Sequence, residues 1–347
     1  MRAAVFHAPG APLTIEDVSD PTPGPAELLL NVKACGICGT DLHWSDRKVD
    51  DGGWRALDPG TIMGHEFAGE IVEVGRSLKG QYRVGERVVA QPFIGCGACA
   101  HCLAGRAYRC PKVNMRATET LTGAYAEYTR IGAHETLRLP DNMGFREGAL
   151  VEPLAVGLNA VRKAALQPGD AVLIVGAGPV GLAVALWCRF FGASHVVVSD
   201  LVRERAEQVG RFGATAVIDA SHEDVRAAAE RICGRPPPVI FDCVGVPGTL
   251  QLAVNYADFD ARIVVVGLCM SADTFAPATA ITKELQMSFA FVYQKQDFAT
   301  VIELIGRERI DPSGMVSGCV GFDGFPDAFE SLKTPGEALK ILLEPGA

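Results

Sequence analysis

A regular alternation of strands and helices from Pro168 onward constrains the fold of this 347-residue chain more than any other feature. Short apolar runs bounded by turn residues predict strands, and helical stretches lie between most of them. Continuous apolar strands joined by helices form a parallel sheet that is covered on both faces. We therefore predict a doubly wound α/β domain with six strands. The predicted strands are 171–175, 195–199, 216–218, 239–241, 262–266 and 287–291, and the predicted helices are 180–191, 202–212 and 223–232.

A glycine-rich motif, GAGPVG, joins the first of these strands to its helix. The spacing G-x-G-x-x-G is specific when it follows a strand and opens a helix. Its first glycine permits a tight turn, its second admits a pyrophosphate to the backbone, and its third lets helix and strand pack closely. The pyrophosphate charge then lies at the helix N-terminus. The motif predicts dinucleotide binding by Gly176, Gly178, Pro179, Val180 and Gly181.

The second predicted strand is followed by Asp200, at the distance from the motif that is typical of a ribose-binding acid. A carboxylate there accepts hydrogen bonds from the adenosine ribose hydroxyls and repels a 2′-phosphate. Asp200 therefore predicts NAD as the cofactor. Arg203 and Arg205 follow on the next helix and would partly offset that repulsion, so NADP stays an alternative. We interpret Arg203 as part of a solvated helix face.

Four of the eleven cysteines form one tight group with the spacing C-x2-C-x2-C-x7-C. Four thiolates on a short loop can close a tetrahedral shell around zinc, with Zn–S bonds of about 2.3 Å. An iron–sulfur cluster is the main alternative, but its fourth cysteine would follow after three residues. A redox dithiol and plain core thiols are further alternatives. The group predicts a structural zinc site formed by Cys96, Cys99, Cys102 and Cys110.

Three other segments, each weak alone, together supply the ligands of a second metal site. They are KACGICGTDLH with Cys38, MGHEFAGEIVEVG with His65 and Glu66, and VEPLAVG with Glu152. One soft and two harder ligands from separate loops, together with an open position, define a catalytic zinc site. Glu66 and Glu152 both stay candidates for the third ligand.

The first part of the chain, up to about residue 155, is rich in glycine and proline and contains short β-like runs at 70–74, 87–91 and 126–131. This pattern predicts a barrel-like β domain. The last segment holds one more predicted helix, 298–305, and a final predicted strand, 338–343.

Composition excludes several classes of protein. The formal net charge is −9 and the sequence contains no long basic run, which argues against nucleic acid and anionic membranes as partners. The apolar stretch 171–188 is interrupted by glycines where a membrane-spanning helix would be continuous. The N-terminus shows no signal-peptide pattern. We therefore expect a soluble cytoplasmic protein, in which closely spaced cysteines are metal ligands rather than disulfides.

The motifs GHEFAGEIVEVG, CGICGTDLH, EPLAVG and GAGPVG and the four-cysteine segment resemble those of the zinc-dependent medium-chain dehydrogenase/reductase superfamily. The resemblance covers essentially the whole chain and is strongest to the polyol, butanediol and threonine dehydrogenase branch. It implies a GroES-like β-barrel catalytic domain over 1–155 and 293–347, with a Rossmann domain inserted at 156–292. It also implies two zinc ions per chain, NAD, and a dimer or tetramer paired through the sheet edge near 287–291.

The resemblance assigns roles to the catalytic candidates. In this family the cysteine two residues before the threonine of the G-T-D motif binds zinc, which selects Cys38 over Cys35. The histidine of the Gly-His-Glu motif also binds zinc in this family, and here it is His65. The third ligand differs among branches, and Glu152 stands at the Glu-Pro position that some of them use. Glu66 remains the competing carboxylate.

The resemblance also implies a proton relay. Thr40 hydrogen-bonds the alcohol oxygen, and the proton passes through the cofactor ribose to His43. From the residues alone, the alternatives are Thr40 or Asp41 as a helix N-cap and His43 as a surface residue. Arg205 stands where relatives have a basic residue that contacts the ribose.

These roles predict an enzyme that oxidises an alcohol to a ketone and passes hydride to NAD. Relatives that act on sorbitol have a tyrosine at Trp44 and an arginine at Val292, so we expect a less polar secondary alcohol or a vicinal diol. A polyol or threonine dehydrogenase is the alternative within the branch. A zinc-free quinone or enone reductase and a non-catalytic NAD-binding sensor are the alternatives outside it.

Overall fold

The computed structural model describes residues 1–48, 55–115, 121–334 and 336–347. The part before residue 165 consists mostly of strands. Two short helices lie among these strands, and two further helices follow the last strand of this part. The strands are β1 (Arg2–Phe6), β2 (Thr14–Asp17), β3 (Glu27–Gly36), β4 (Thr61–Ile62), β5 (Glu66–Val74), β6 (Arg87–Ala90), β7 (Phe93–Ile94), β8 (Asn114–Met115), β9 (Tyr128–Gly132) and β10 (Thr136–Arg138). The helices are α1 (Gly39–Ser45), α2 (Ala100–Leu103), α3 (Phe145–Ala149) and α4 (Val151–Lys163).

Strand β3 is the centre of the larger sheet in this part. It pairs antiparallel with β5 and with β9, and most of its residues are buried. The sheet continues from β5 through β6 to β10, and a separate sheet has the order β2-β1-β4. Sequence reasoning did not predict β3, because its apolar pattern is broken by Asn31 and Lys33.

The second part is the predicted doubly wound domain. All strand pairs in its six-stranded sheet are parallel, in the order β13-β12-β11-β14-β15-β16, which places the crossover point between β11 and β14. The strands are β11 (Ala171–Val175), β12 (His195–Asp200), β13 (Ala216–Asp219), β14 (Val239–Asp242), β15 (Arg262–Val265) and β16 (Gln286–Phe289), and the helices are α5 (Pro179–Phe190), α6 (Arg203–Gln208), α7 (Val225–Cys233), α8 (Thr249–Tyr256) and α9 (Pro277–Thr282).

Both faces of this sheet are buried, which explains its continuous apolar strands. Val172 and Ile174 belong to the core cluster on one face, together with α5, whereas Leu173 belongs to the cluster on the other face, together with α7 and α8. The predicted helix 202–212 is shorter than expected, because α6 ends at Gln208 and a 3-10 turn, Val209–Phe212, follows it.

The end of the chain returns to the first part. It consists of α10 (Lys295–Gly306), β17 (Val316–Val320), α11 (Phe325–Ser331) and β18 (Lys340–Leu343). Strand β18 pairs antiparallel with β3, so that Leu342 lies opposite Gly36, and β17 extends the sheet beyond β18. The predicted strand 338–343 therefore lies beside the segment that carries Cys38.

Helix α4 spans the domain limit predicted at 155/156. Leu154 and Leu158 of α4 belong to the same core cluster as Val184 and Trp187 of α5. The Trp187 indole donates to the carbonyl of Leu154 at 2.8 Å. The apolar stretch 171–188 is divided between β11 and α5, and none of the described helices is long and apolar enough to cross a membrane.

Candidate active site and cysteine lobe

A cavity of about 1640 Å³ holds nearly all the predicted catalytic and cofactor-binding residues. It opens at the carboxyl ends of β11, β12 and β14 and extends to α1, β5 and β18. Gly181 is the exception, since it does not line the cavity. The predicted residues that do line it are Cys38, Thr40, His43, His65, Glu66, Glu152, Gly176, Gly178, Pro179, Val180, Asp200 and Arg205.

Cys38, His65 and Glu66 form a compact set of donor atoms at the floor of this cavity. One ligand atom of each lies within 4.8 Å of those of the other two. Cys38 is the N-cap of α1, His65 lies in the segment just before β5, and Glu66 is the first residue of β5. Cys38 and His65 therefore lie in segments that connect regular elements, whereas Glu66 begins a strand. Thiolate, imidazole and carboxylate are the ligands that zinc takes in catalytic sites, so the donor set fits this metal.

His65 is oriented by Asp41 and Tyr125, neither of which was predicted from the sequence to have this role. Its Nδ1 lies 3.2 Å from Oδ1 of Asp41, which leaves Nε2 for a metal. The Tyr125 hydroxyl donates to Oδ2 of the same carboxylate at 2.5 Å. Burial, and then the charge of Asp41, raises the pKa of Tyr125 well above its usual value, so the hydroxyl remains a donor. The pair fixes both the orientation and the tautomer of His65.

Glu66 forms a buried ion pair with Lys340, another residue that sequence reasoning missed. The Lys340 ammonium lies 2.7 Å from each Glu66 carboxylate oxygen and donates to the carbonyl of Ile37 at 2.8 Å. Burial lowers the pKa of Lys340, but the charges of Glu66 and Cys38 outweigh burial and raise it above its usual value. The side chain of Glu66 is therefore held in place beside the other two donors.

Glu152 lies in the same cavity but outside the compact donor set. It is the second residue of α4, with Pro153 in the first helical turn, and it is 7% exposed. The Tyr293 hydroxyl donates to Oε1 of Glu152 at 2.8 Å. Burial, and then the charge of Glu152, raises the pKa of Tyr293 well above its usual value. Among the residues that the structure describes, Glu66 is thus the carboxylate grouped with Cys38 and His65.

Thr40 and His43 lie one helical turn apart on α1, so both side chains occupy one face of the helix. Thr40 is half-buried and His43 is exposed. The helix N-cap is Cys38, which makes no side-chain capping bond, so capping is not the role of Thr40. The geometry leaves Thr40 and His43 available for proton transfer between the cavity and solvent.

The glycine-rich turn has the backbone geometry that the motif predicts. Gly176 has φ +98°, a conformation that favours glycine. A Cβ atom on Gly181 would lie 1.9 Å from the carbonyl oxygen of Gly176, so only glycine permits this approach of helix and strand. A Cβ atom on Gly178 would meet nothing within 4 Å, since this position faces the cavity.

The Asp200 carboxylate is fixed by two backbone donors. Its Oδ2 accepts from Ala177 N at 2.7 Å and its Oδ1 from Val202 N at 2.8 Å. Each oxygen retains a lone pair that can accept a hydroxyl hydrogen from the cavity. Arg203 pairs with Glu207 on the exposed face of α6, and Arg205 donates from Nε to the carbonyl of Gly336.

The four-cysteine lobe has the dimensions of a tetrahedral zinc site. Zn–S bonds of about 2.3 Å place sulfur atoms about 3.8 Å apart. The Cys99 and Cys102 sulfurs are 3.5 Å apart and those of Cys96 and Cys102 are 4.0 Å apart. Backbone N–H groups of Ala98 and then Cys99 lower the pKa of Cys96 to about 6, which favours the thiolate that a metal requires. All four thiols are free of disulfide bonds.

Comparisons with known proteins agree with both halves of this fold. A family model described as an alcohol dehydrogenase GroES-like domain matches residues 24–141, and one described as a zinc-binding dehydrogenase matches residues 179–307. The predicted combination of a GroES-like domain with a Rossmann domain is therefore confirmed.

Individual relatives match over nearly the whole chain. Sorbitol dehydrogenase of Bacillus subtilis (strain 168) is 32% identical over 99% of this chain and 97% of the relative. The crystal structure of 2R,3R-butanediol dehydrogenase from Bacillus subtilis has a TM-score of 0.85 at 29% identity, over 99% of both chains. A protein from Sinorhizobium meliloti 1021 that was solved bound to NADP has a TM-score of 0.85 at 28% identity, again over 99% of both chains. The chain therefore belongs to the zinc-dependent medium-chain alcohol dehydrogenase family.

Proposed function

We propose that this enzyme oxidises a secondary alcohol or a short vicinal diol to a ketone, with transfer of hydride to NAD⁺. One observation carries the proposal: the donor set Cys38, His65 and Glu66 shares a single cavity with the glycine-rich turn. An alcohol at the donor set therefore lies within reach of a nicotinamide whose pyrophosphate is bound at the N-terminus of α5.

The reaction separates a hydride from a proton. The hydride leaves the alcohol carbon for the nicotinamide ring, and the hydroxyl proton leaves through protein groups. The substrate hydroxyl donates a hydrogen bond to the Thr40 hydroxyl oxygen. His43, which lines the cavity and is exposed, releases the proton to solvent. When bound, zinc supplies Lewis-acid polarisation of the substrate oxygen. Asp41 and Tyr125 hold His65 in the orientation that this requires.

Apolar parts of the cavity walls support a substrate of low polarity. Trp44, Phe93, Met115 and Phe291 line them. The Trp44 indole donates to the carbonyl of Arg55 at 2.7 Å, so its polar group is already engaged by the protein. A wall of this kind offers few partners for a chain of substrate hydroxyls, whose burial without partners is costly.

The substrate proposal predicts an order of activities. We expect kcat/KM for 2,3-butanediol or cyclohexanol to exceed kcat/KM for sorbitol or xylitol by roughly ten-fold or more, because each unpaired buried hydroxyl costs about 1–3 kcal/mol. The measurement is NADH formation across secondary alcohols, diols, polyols and threonine. A higher kcat/KM for sorbitol or xylitol would favour the polyol alternative, which the relatedness to sorbitol dehydrogenase supports.

NAD is the proposed cofactor, because the fixed Asp200 carboxylate would repel the 2′-phosphate of NADP. We expect Asp200→Ala to lower kcat/KM with NAD⁺ by roughly ten-fold or more, since a hydrogen bond to a charged group contributes about 1.5–3 kcal/mol. In the same variant, the ratio of kcat/KM with NAD⁺ to kcat/KM with NADP⁺ should also fall.

Asp219 is the matched control for this substitution. It lies opposite Asp200 at the end of the neighbouring strand β13, but it bonds Ser221 and does not line the cavity. Asp219→Ala should leave cofactor selectivity unchanged. If Asp200→Ala also left it unchanged, the role given to Asp200 would be wrong.

Other assignments stay predictions. They are the domain limits 1–155 with 293–347 and 156–292, two zinc ions per chain, a cytoplasmic location, and a homodimer or homotetramer. The first is supported by the pairing of β18 with β3, and the second by the two donor groups.

A further inference from the structure

The four-cysteine lobe is built against the wall of the substrate cavity. It begins and ends in the short antiparallel pair β7 and β8, in which Phe93 lies opposite Met115. Both residues line the cavity. The two ends of the lobe therefore form part of the surface that an alcohol would contact.

The lobe also contacts the segment from Phe291 to Lys295, whose first three residues line the cavity. The Tyr108 ring lies edge-on to Phe93 and to Phe291, with ring centroids 6.1 and 6.3 Å apart. The Lys295 backbone N–H donates to the carbonyl of Gly105 at 2.9 Å. Tyr108 itself does not line the cavity, so any effect it has on substrate passes through its neighbours.

The segment that the lobe touches contains a strained residue. Val292 has φ +56°, and among the described residues only four other non-glycine residues have positive φ, all of them exposed and none β-branched. Such a conformation persists only where the surroundings determine it. The Val292 carbonyl accepts from Asn159 Nδ2 at 2.8 Å, and its side chain packs against the apolar core of the lobe.

The same segment leads to the catalytic centre. Tyr293 follows Val292 directly, is fully buried, and donates to Glu152. A shift of this segment would therefore move the cavity wall and the partner of Glu152 together.

The geometry points to Tyr108 as a positioning residue for substrate selectivity, through which the four-cysteine lobe holds the wall from Phe291 to Tyr293 in place. This inference rests on the proposed oxidation of alcohols in that cavity. It assigns the lobe a role in shaping the substrate site in addition to a role in stability.

The test compares Tyr108→Ala with Tyr108→Phe, which keeps the ring. In Tyr108→Ala we expect the ratio of kcat/KM for cyclohexanol to that for 2-propanol to change by about two- to ten-fold, the range that the loss of one or two aromatic contacts corresponds to. The change should appear in KM more than in kcat, while KM for NAD⁺ and the zinc content stay at their wild-type values. Tyr108→Phe should retain the wild-type ratio.

Tyr128→Ala is the matched control, since Tyr128 is also partly buried but lies in β9 opposite Asn31 and does not line the cavity. An equal change for both alcohols in Tyr108→Ala, or the same change of ratio in Tyr128→Ala, would overturn the inference.

A second readout does not depend on activity. Hydrogen exchange of the segment 291–297, measured by mass spectrometry, should be faster in Tyr108→Ala than in wild type and unchanged in Tyr108→Phe. If the wild type oxidised no secondary alcohol, the proposed substrate would be wrong, whereas the exchange result would still decide whether the lobe holds this segment. Unchanged exchange in Tyr108→Ala would overturn the coupling.

Discussion

Replacing Cys38 with serine should reduce turnover by roughly a thousand-fold, because the loss of a ligand removes several kcal/mol of polarisation from the reacting oxygen. Cys38 caps α1 without a side-chain capping bond and is only partly buried, so its sulfur contributes little to the fold. The measurements are kcat, the zinc content and the thermal unfolding midpoint. We expect one of the two zinc ions to be lost and the midpoint to change little.

The matched variant is Cys99→Ser in the four-cysteine lobe. Zinc binding by such lobes is coupled to their folding. We therefore expect the thermal midpoint to fall by on the order of 10 °C, as a loss of several kcal/mol at about 2–4 °C per kcal/mol implies. Turnover at low temperature should fall much less than in Cys38→Ser. If the two phenotypes were exchanged, the catalytic and structural sites would be reversed.

The dinucleotide site was predictable because its residues are contiguous. Strand β11, the GAGPVG turn, helix α5 and Asp200 at the end of β12 all fall within about thirty residues, the length of one βαβ unit. The role of each glycine follows from local backbone geometry, as the positive φ of Gly176 and the contact between Gly181 and Gly176 show. The four cysteines are contiguous in the same sense.

The surroundings of the catalytic donors were not predictable in this way. Lys340 reaches Glu66 across 274 residues, Tyr293 reaches Glu152 across 141, and Tyr125 reaches Asp41 across 84. No local pattern encodes these pairs. One signal was present, since Lys340 interrupts an apolar run that ends in Leu342 and Leu343, and a lysine inside a buried strand requires a buried partner.

Helix α4 was missed because Glu152 is followed by proline. A proline suggests a loop, but its lack of an N–H is tolerated in the first turn of a helix. Because this helix was not predicted, the predicted domain limit falls inside α4. Glu152 itself is a helical residue and is 7% exposed. Rigid placement on a helix, together with the Tyr293 hydroxyl, fixes this carboxylate beside the donor set.

Replacing Lys340 with methionine should lower the free energy of unfolding by about 3–5 kcal/mol, the usual cost of leaving one member of a buried ion pair alone. Lys340 and Glu66 are both about 1% exposed, and Lys340 gives all its three hydrogen bonds to Glu66 and Ile37. Zinc held by Cys38, His65 and Glu66 would place a second cation beside the Glu66 carboxylate. The loss should therefore be smaller in the zinc-loaded enzyme than after zinc has been removed with a chelator.

Lys333→Met is the control for this substitution. Lys333 also has two carboxylate partners at 2.9 Å, Asp46 and Glu330, but their side chains are 51% and 32% exposed. A pair of this kind contributes about 0–1 kcal/mol. The measurement is urea unfolding of each variant with and without zinc, extended by the double variant Lys340→Met with Glu66→Gln.

The double variant distinguishes a paired charge from simple packing. If the unpaired charge of Glu66 destabilises the folded Lys340→Met variant, replacing Glu66 with glutamine in that variant should recover part of the lost free energy of unfolding. The effects of the two substitutions should then not add, because the two residues are in direct contact. If the effects of the two substitutions added independently, or if Lys340→Met cost no more than Lys333→Met, the ion pair would have no such role. The carboxylate of Glu66 would then have to be held beside Cys38 and His65 by other contacts.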